Sequence, residues 1–157
     1  MRPDTTEETF VPAWCLPEGH SQKLWLKFSG AETVEHVRNR VELEDGDFID
    51  VDLLLASQAD AARQRALLVI LHGLCGSSSS SCILSLQRHL SKQGYSSVAL
   101  NFRGCSGELN RRERAYYSCV SDDLQEVLHA VIETFNPDTI SLVGYSLGAK
   151  VLVKWRG

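Results

Sequence analysis

The chain has 157 residues, 43% hydrophobic and 23% charged, the make-up of one ordinary globular domain around a single core. Sixteen Lys and Arg stand against 20 Asp and Glu, a net charge of -4, so no basic surface points to nucleic acid or an anionic membrane. No apolar run approaches the roughly 20 residues that span a bilayer, and the acidic N-terminus lacks the apolar stretch of a secretory signal, so a cytoplasmic protein without a transmembrane segment is expected.

Residues 1–40 read as an irregular arm. Pro3, Pro12 and Pro17 oppose helix, while Trp14, Leu16, Leu24, Trp25, Leu26 and Phe28 supply apolar surface to pack on a domain that begins at 41. V-E-L-E-D-G-D-F-I-D-V-D-L-L-L then alternates in the manner of a β-hairpin, with Asp45-Gly46 predicting a type I′ turn. A polar connection, 58–65, leads to A-L-L-V-I-L (Ala66–Leu71), a continuous apolar run of strand length that implies burial on both faces.

H-G-L-C-G and five serines, Ser77–Ser81, follow. A serine run reads either as a flexible linker or as a connection opening a helix; its place between a buried strand and Ile83, Leu84, Leu86 and Leu90 favours the second. A serine would cap that helix and Gly94 would stop it. Ser96–Phe102 is a second buried strand, ending in R-G-C-S-G. Leu124, Val127, Leu128, Val131, Ile132 and Phe135 mark the clearest helix, with Ser121 as its cap and Asn136-Pro137 as its end. Thr139–Gly144 is a third buried strand and Ala149–Trp155 the start of another helix. A hairpin followed by alternating strands and helices implies an α/β architecture with a mostly parallel sheet.

In such a sheet ligands bind beyond the carboxyl ends of the strands, where H-G-L-C-G, N-F-R-G-C-S-G and G-Y-S-L-G all fall. G-Y-S-L-G has the form of a nucleophile elbow. Ser146 would sit on a sharp strand-to-helix turn, with Gly144 and Gly148 leaving room for strand and helix to approach. The backbone N–H of Leu147 and that of Leu74, in the loop after the first parallel strand, would form an oxyanion hole. His72, beside Gly73, reads as a histidine bracing that loop rather than as the catalytic base. Cys75 and Cys105 lack so good a presentation as nucleophiles, and the R-R-E-R cluster (Arg111–Arg114) is more simply a solvated loop than an anion grip. Tyr116, Tyr117 and Ser118 fall in the same loop. Five cysteines, Cys15, Cys75, Cys82, Cys105 and Cys119, form no C-x-x-C pair and imply reduced thiols. His72, Cys75 and Cys82 lack a second closely spaced ligand pair, so no metal site is expected.

N-F-R-G-C-S-G-E-L-N-R, the later A-Y-Y-S and D-D-L, the D-G-D-F-I-D hairpin, L-H-G-L-C-G-S-S and V-G-Y-S-L-G-A-K-V-L-V-K-W resemble, in order, the YheT-like branch of the α/β-hydrolase superfamily. E-G-H-S-Q in the arm resembles that branch's N-G-H-x-Q-T element. The resemblance covers roughly residues 10–157 and implies a serine carboxylesterase or acylglycerol lipase with no metal or organic cofactor, Ser146 being the nucleophile and Leu74 and Leu147 the oxyanion donors. In that family the triad Asp and His follow the serine, yet no Asp, Glu or His follows Ser146 here. The expectation is therefore a truncated α/β-hydrolase fold, its N-terminal half, lacking about another hundred residues of a full domain. Such a chain would be weakly active or inactive alone on a small-molecule ester or lipid substrate. Its open sheet edge would suit self-association or a complementing chain, so an interaction module or one half of a split enzyme stands as the alternative.

Overall fold

The computed structural model describes residues 34–58, 63, 65–113 and 120–156. Residues 1–33 of the expected arm, with E-G-H-S-Q, lie outside the described residues, as do Arg114, Tyr116, Tyr117, Ser118 and most of the 58–65 connection. The described residues all fall within the compact unit Glu32–Gly157.

The hairpin strands are β1 (Val37–Glu42) and β2 (Phe48–Leu54). β1 begins inside the segment assigned to the arm, because Arg38 and Arg40 stand directly opposite Asp52 and Asp50 and fork onto their carboxylates at 2.7–2.9 Å. The Arg40 guanidinium also lies 3.7 Å from the centre of the Phe48 ring. The turn differs from type I′, which needs positive φ at both central residues. Only Gly46 has positive φ (82°); Gly46 N–H bonds Leu43 O and Leu43 N–H bonds Asp47 O, which gives a three-residue loop closed by a left-handed glycine.

β3 (Ala66–Leu71), β4 (Ser96–Leu100) and β5 (Thr139–Gly144) complete a five-stranded sheet in the order β1-β2-β4-β3-β5. β3 runs parallel to both β4 and β5, and β4 is antiparallel to β2, so the sheet is mixed and joined to the hairpin through β2. Val69, Ile70, Leu71, Val98, Ala99 and Leu100 are at most 1% exposed, as the unbroken apolar runs require.

Helix α1 (Ser81–Lys92) covers one sheet face, where Ile83 packs with Ile70 and Ala99. Helices α2 (Val120–Phe135) and α3 (Leu147–Arg156) cover the other, burying Leu124, Val127, Leu128, Val131 and Val151 against Val69, Leu71, Val98 and Leu100. The serine run is thus the connection into α1, not a linker. Ser80 is the cap position, but its Oγ accepts from Ser77 N–H rather than capping the helix. Gly94, left-handed at φ 85°, stops α1 as expected. α2 starts at Val120, which places Ser121 within the first turn instead of at the cap, and Ile132 is 45% exposed at the margin of the apolar stripe.

Candidate active site

A sharp turn follows β5. Tyr145 N–H bonds Leu71 O on the neighbouring strand at 3.0 Å, Ser146 takes a left-handed φ of 50°, and Gly148 N–H bonds back to Tyr145 O at 2.8 Å as α3 begins. Left-handed backbone is costly for a residue with a Cβ, and such strain gathers where a side chain must be aimed. The flanking glycines are forced by close approach. A Cβ on Gly144 would lie 2.5 Å from Ala149 N and Gly148 C, and one on Gly148 would lie 2.5 Å from Leu71 O. Ser146 itself is exposed at the sheet edge.

The loop after β3 meets this turn. Gly73 abuts the serine so closely that a Cβ there would be 3.3 Å from Ser146 Cβ and 4.0 Å from its Oγ. Gly76 N–H returns to Gly73 O at 3.1 Å, and Cys75 takes φ 55°, so the loop doubles back sharply around Leu74. The structure thus brings Gly73, with Leu74 next in the chain, against Ser146, with Leu147 next in the chain.

His72 has no freedom to act as a base. It is 1% exposed, its Nε2 accepts from Phe102 N–H at 3.2 Å, and its Nδ1 lies 2.7 Å from Gly73 O. Because the Phe102 amide is a donor, the imidazole proton is on Nδ1 and donates to Gly73 O. Burial pushes its pKa below the usual histidine value, only partly opposed by that bond, and so favours the neutral ring. His72 ties the end of β3 to the end of β4, also stacking edge-on against Phe102 at 4.7 Å between ring centres. Elsewhere His36 pairs with Gln87 and His129 with Gln125, and no described histidine or carboxylate hydrogen-bonds Ser146 Oγ.

The third glycine-rich stretch wraps a buried ion cluster. Arg103, 4% exposed, forks onto Asp123 at 2.8 Å and reaches Asp47 at 2.8 Å and Asp45 at 2.9 Å. Asn110 donates to Asp47 and to Phe48 O, accepts from Gly104 N–H, and is followed by Arg111, whose N–H also bonds Asp47. Gly104 and Gly107 have positive φ (73° and 99°), which the loop's reversal demands. The Arg111 side chain is held by Glu42 and Gly46 O and lies over Phe48, so it braces the hairpin. Cys105 is half-buried in this loop, and burial, with a smaller contribution from Cys75, raises its thiol pKa, the wrong direction for a nucleophile.

A family profile described as the alpha/beta hydrolase fold matches residues 66–155, from the first residue of β3 almost to the end of α3. The chain belongs to the alpha/beta hydrolase fold family. It is 40% identical over 113 residues to YheT of Escherichia coli, which carries a provisional esterase designation, across 72% of this chain and 33% of that protein. It is 31% identical over 160 residues to human Phospholipase ABHD3, across 99% of this chain and 39% of that protein. The chain therefore spans between a third and two fifths of these two relatives. Among solved structures, a Xanthomonas campestris a/b serine hydrolase without lid superposes with a TM-score of 0.64 at 24% identity, over 79% of this chain and 56% of that one. That likeness is one of fold. Among the described residues, no helix is long and apolar enough to cross a membrane.

Around the loop that meets Ser146, sequence reasoning overlooked Asp52, Ser78 and Asn101. The acids of D-F-I-D-V-D entered only as the alternating residues of a hairpin, and one of five consecutive serines carried no distinguishing signal.

Proposed function

We propose that this chain supplies the nucleophile and oxyanion hole of a serine carboxylic-ester hydrolase, of the carboxylesterase or acylglycerol lipase class. The observation that carries the reading is Ser146 at φ 50° on a strand-turn-helix elbow with Gly73 packed against it. Ser146 Oγ attacks the ester carbonyl carbon, and the oxygen that gains negative charge is met by the N–H groups of Leu74 and Leu147. Leu147 begins α3, whose first-turn amides point outward with the positive end of the helix dipole. No metal or organic cofactor enters this chemistry. Support for ester chemistry comes from the esterase and phospholipase designations of the relatives, applied here to a small-molecule ester or lipid.

The serine needs a general base, and the described histidines do not reach it; no Asp, Glu or His follows Ser146 in these 157 residues. The 157-residue chain is accordingly a slow catalyst, limited to the acceleration that oxyanion hole and binding give without a working triad. Full activity requires a His and a carboxylate from further polypeptide. β5 pairs only with β3 in the described sheet, and Val153 and Trp155 on α3 are 75% and 37% exposed, which favours completion at this edge by chain continuing there or by a complementing chain. The free thiols of Cys75, Cys82 and Cys105 favour the reducing cytoplasm.

The test is hydrolysis of short p-nitrophenyl esters, with and without polypeptide supplying the His and carboxylate. Rates that rise on completion and vanish in Ser146→Ala support the reading. A completed protein indifferent to Ser146→Ala overturns it, and ordinary enzyme rates from the 157 residues alone overturn the claim of weakness.

A further inference from the structure

We infer that Asp52, on the hairpin strand β2, is the positioning residue that holds the oxyanion loop in place, acting through Ser78 and Asn101. The role in catalysis rests on the hydrolase reading above; the anchoring itself rests on geometry alone. Asp52 is 2% exposed, yet its carboxylate collects four donated hydrogen bonds. Arg38 forks onto both oxygens at 2.7 and 2.8 Å, Ser78 Oγ donates to Oδ2 at 2.5 Å, and Asn101 Nδ2 donates to the same oxygen at 3.0 Å. Asn101 then uses its Oδ1 to accept from Ser78 N–H at 2.8 Å. Ser78 is thus gripped by its hydroxyl and its amide at once, and both grips lead to Asp52.

This matters because of where Ser78 sits. It is 1% exposed, four residues after Leu74, in the loop that packs Gly73 against Ser146. His72 fixes the start of that loop by bonding Gly73 O and Phe102 N–H, and Ser80 fixes its end by accepting from Ser77 N–H. Ser78 is the fixed point between them, and the anchor it reaches is neither on β3 nor on α1 but two strands away in the sheet. Only a carboxylate serves. Arg38, Ser78 and Asn101 all present donors to Asp52, so an amide in its place would turn an NH2 group towards another donor. Burial opposes ionisation of Asp52 most strongly, but the hydrogen bonds from Arg38, Ser78 and Asn101 together outweigh it and hold the carboxyl below the usual aspartate range.

Two residues earlier the same strand carries its own control. Asp50 is 1% exposed and takes the same two-pronged contact from Arg40, but its carboxylate bonds Ser106 and shares no hydrogen bond with the 72–80 loop. The experiment measures amide hydrogen exchange of Gly76, Ser77, Ser78 and Ser80 in the full chain, against Val69 and Ile70 as core references, in wild type, Asp52→Asn, Ser78→Ala and Asp50→Asn. Losing charge-assisted hydrogen bonds should speed loop exchange relative to the core by about tenfold or more in Asp52→Asn and Ser78→Ala. Asp50→Asn should leave that ratio unchanged. An unmoved ratio in Asp52→Asn, or an equal rise in Asp50→Asn, overturns the inference. If Asp52→Asn does not fold, Ser78→Ala, which leaves the Arg38–Asp52 pair intact, decides alone.

Hydrolysis of p-nitrophenyl acetate supplies a second readout. A misplaced oxyanion hole should lower the Ser146-dependent kcat by about tenfold or more with KM unchanged, because the hole acts only as charge develops. Loosened exchange together with hydrolysis indifferent to Ser146→Ala would leave the anchor standing and overturn the hydrolase reading instead.

Discussion

Replacing Gly148 by alanine sets two opposing effects against each other at the elbow. In an ordinary helix the change gains about 1 kcal/mol of intrinsic propensity. Here the new Cβ would stand 2.5 Å from Leu71 O, 2.8 Å from Leu71 Cβ and 2.9 Å from His72 O, two backbone atoms and a core side chain that cannot turn aside. Moving from 2.5 Å to the 3.4 Å of ordinary contact requires the start of α3 to lift by about 0.9 Å. Leu71 O is also the acceptor for Tyr145 N–H, so the lift strains the hydrogen bond that seats the turn, worth about 1 kcal/mol. Overpacking of this kind costs about 1–3 kcal/mol. Adding the strained bond and subtracting the propensity gain leaves a net loss of about 1–3 kcal/mol. Urea unfolding at neutral pH should show a lower midpoint at unchanged slope. A Gly148→Ala protein as stable as wild type, or more so, would refute the close-approach argument.

Ser146→Gly should move the other way, stabilising the chain by up to about 1 kcal/mol because glycine takes left-handed φ without strain, while abolishing any Ser146-dependent ester hydrolysis; thermal unfolding beside the ester assay checks both. His72 is held below its unfolded pKa, so it stabilises the fold above about pH 6.5 and its contribution is lost as pH falls below that value. His72→Gln, whose Oε1 can accept from Phe102 N–H, should remove that part of the stability loss between pH 7.5 and 5.5, read from urea midpoints at the two pH values. Arg103→Met strips the countercharge from buried Asp47 and Asp123 and should cost about 3–5 kcal/mol, enough to unfold much of the population on circular dichroism. A loss below about 1 kcal/mol would show that the cluster is solvated in solution.

Much of this hydrolase half-domain was legible in residue order because its signals are local. An unbroken apolar run fixed β3 to the residue, since a strand covered on both faces tolerates no polar interruption. β5, expected to be buried, has the right bounds but leaves Thr139 and Ser141 exposed because it lies at the edge of the described sheet. G-Y-S-L-G identified its own turn, because only glycine at 144 and 148 allows strand and helix to meet, and Gly46 announced a reversal although not its type. Non-local pairing was beyond that reading. The buried face of α1 is Ile83, Gln87 and Ser91, two of them polar, because Gln87 reaches the carbonyls of Asp52 and Ser97 and Ser91 reaches Leu55 O. Asp50 and Asp52 look like a hydrophilic strand face and Asp47 like part of a solvated turn, yet each is at most 2% exposed, since the loops after β3 and β4 fold over them with matching donors. A buried carboxylate is tolerable only when such donors arrive together, and which donors arrive is decided by the order of strands in the sheet. The sequence by itself therefore determined the turn that presents Ser146, the proposed nucleophile. Only the tertiary structure decided what holds the loop after β3 opposite it, because Asp52, Ser78 and Asn101 lie 23 to 49 residues apart in the chain and adjacent in space.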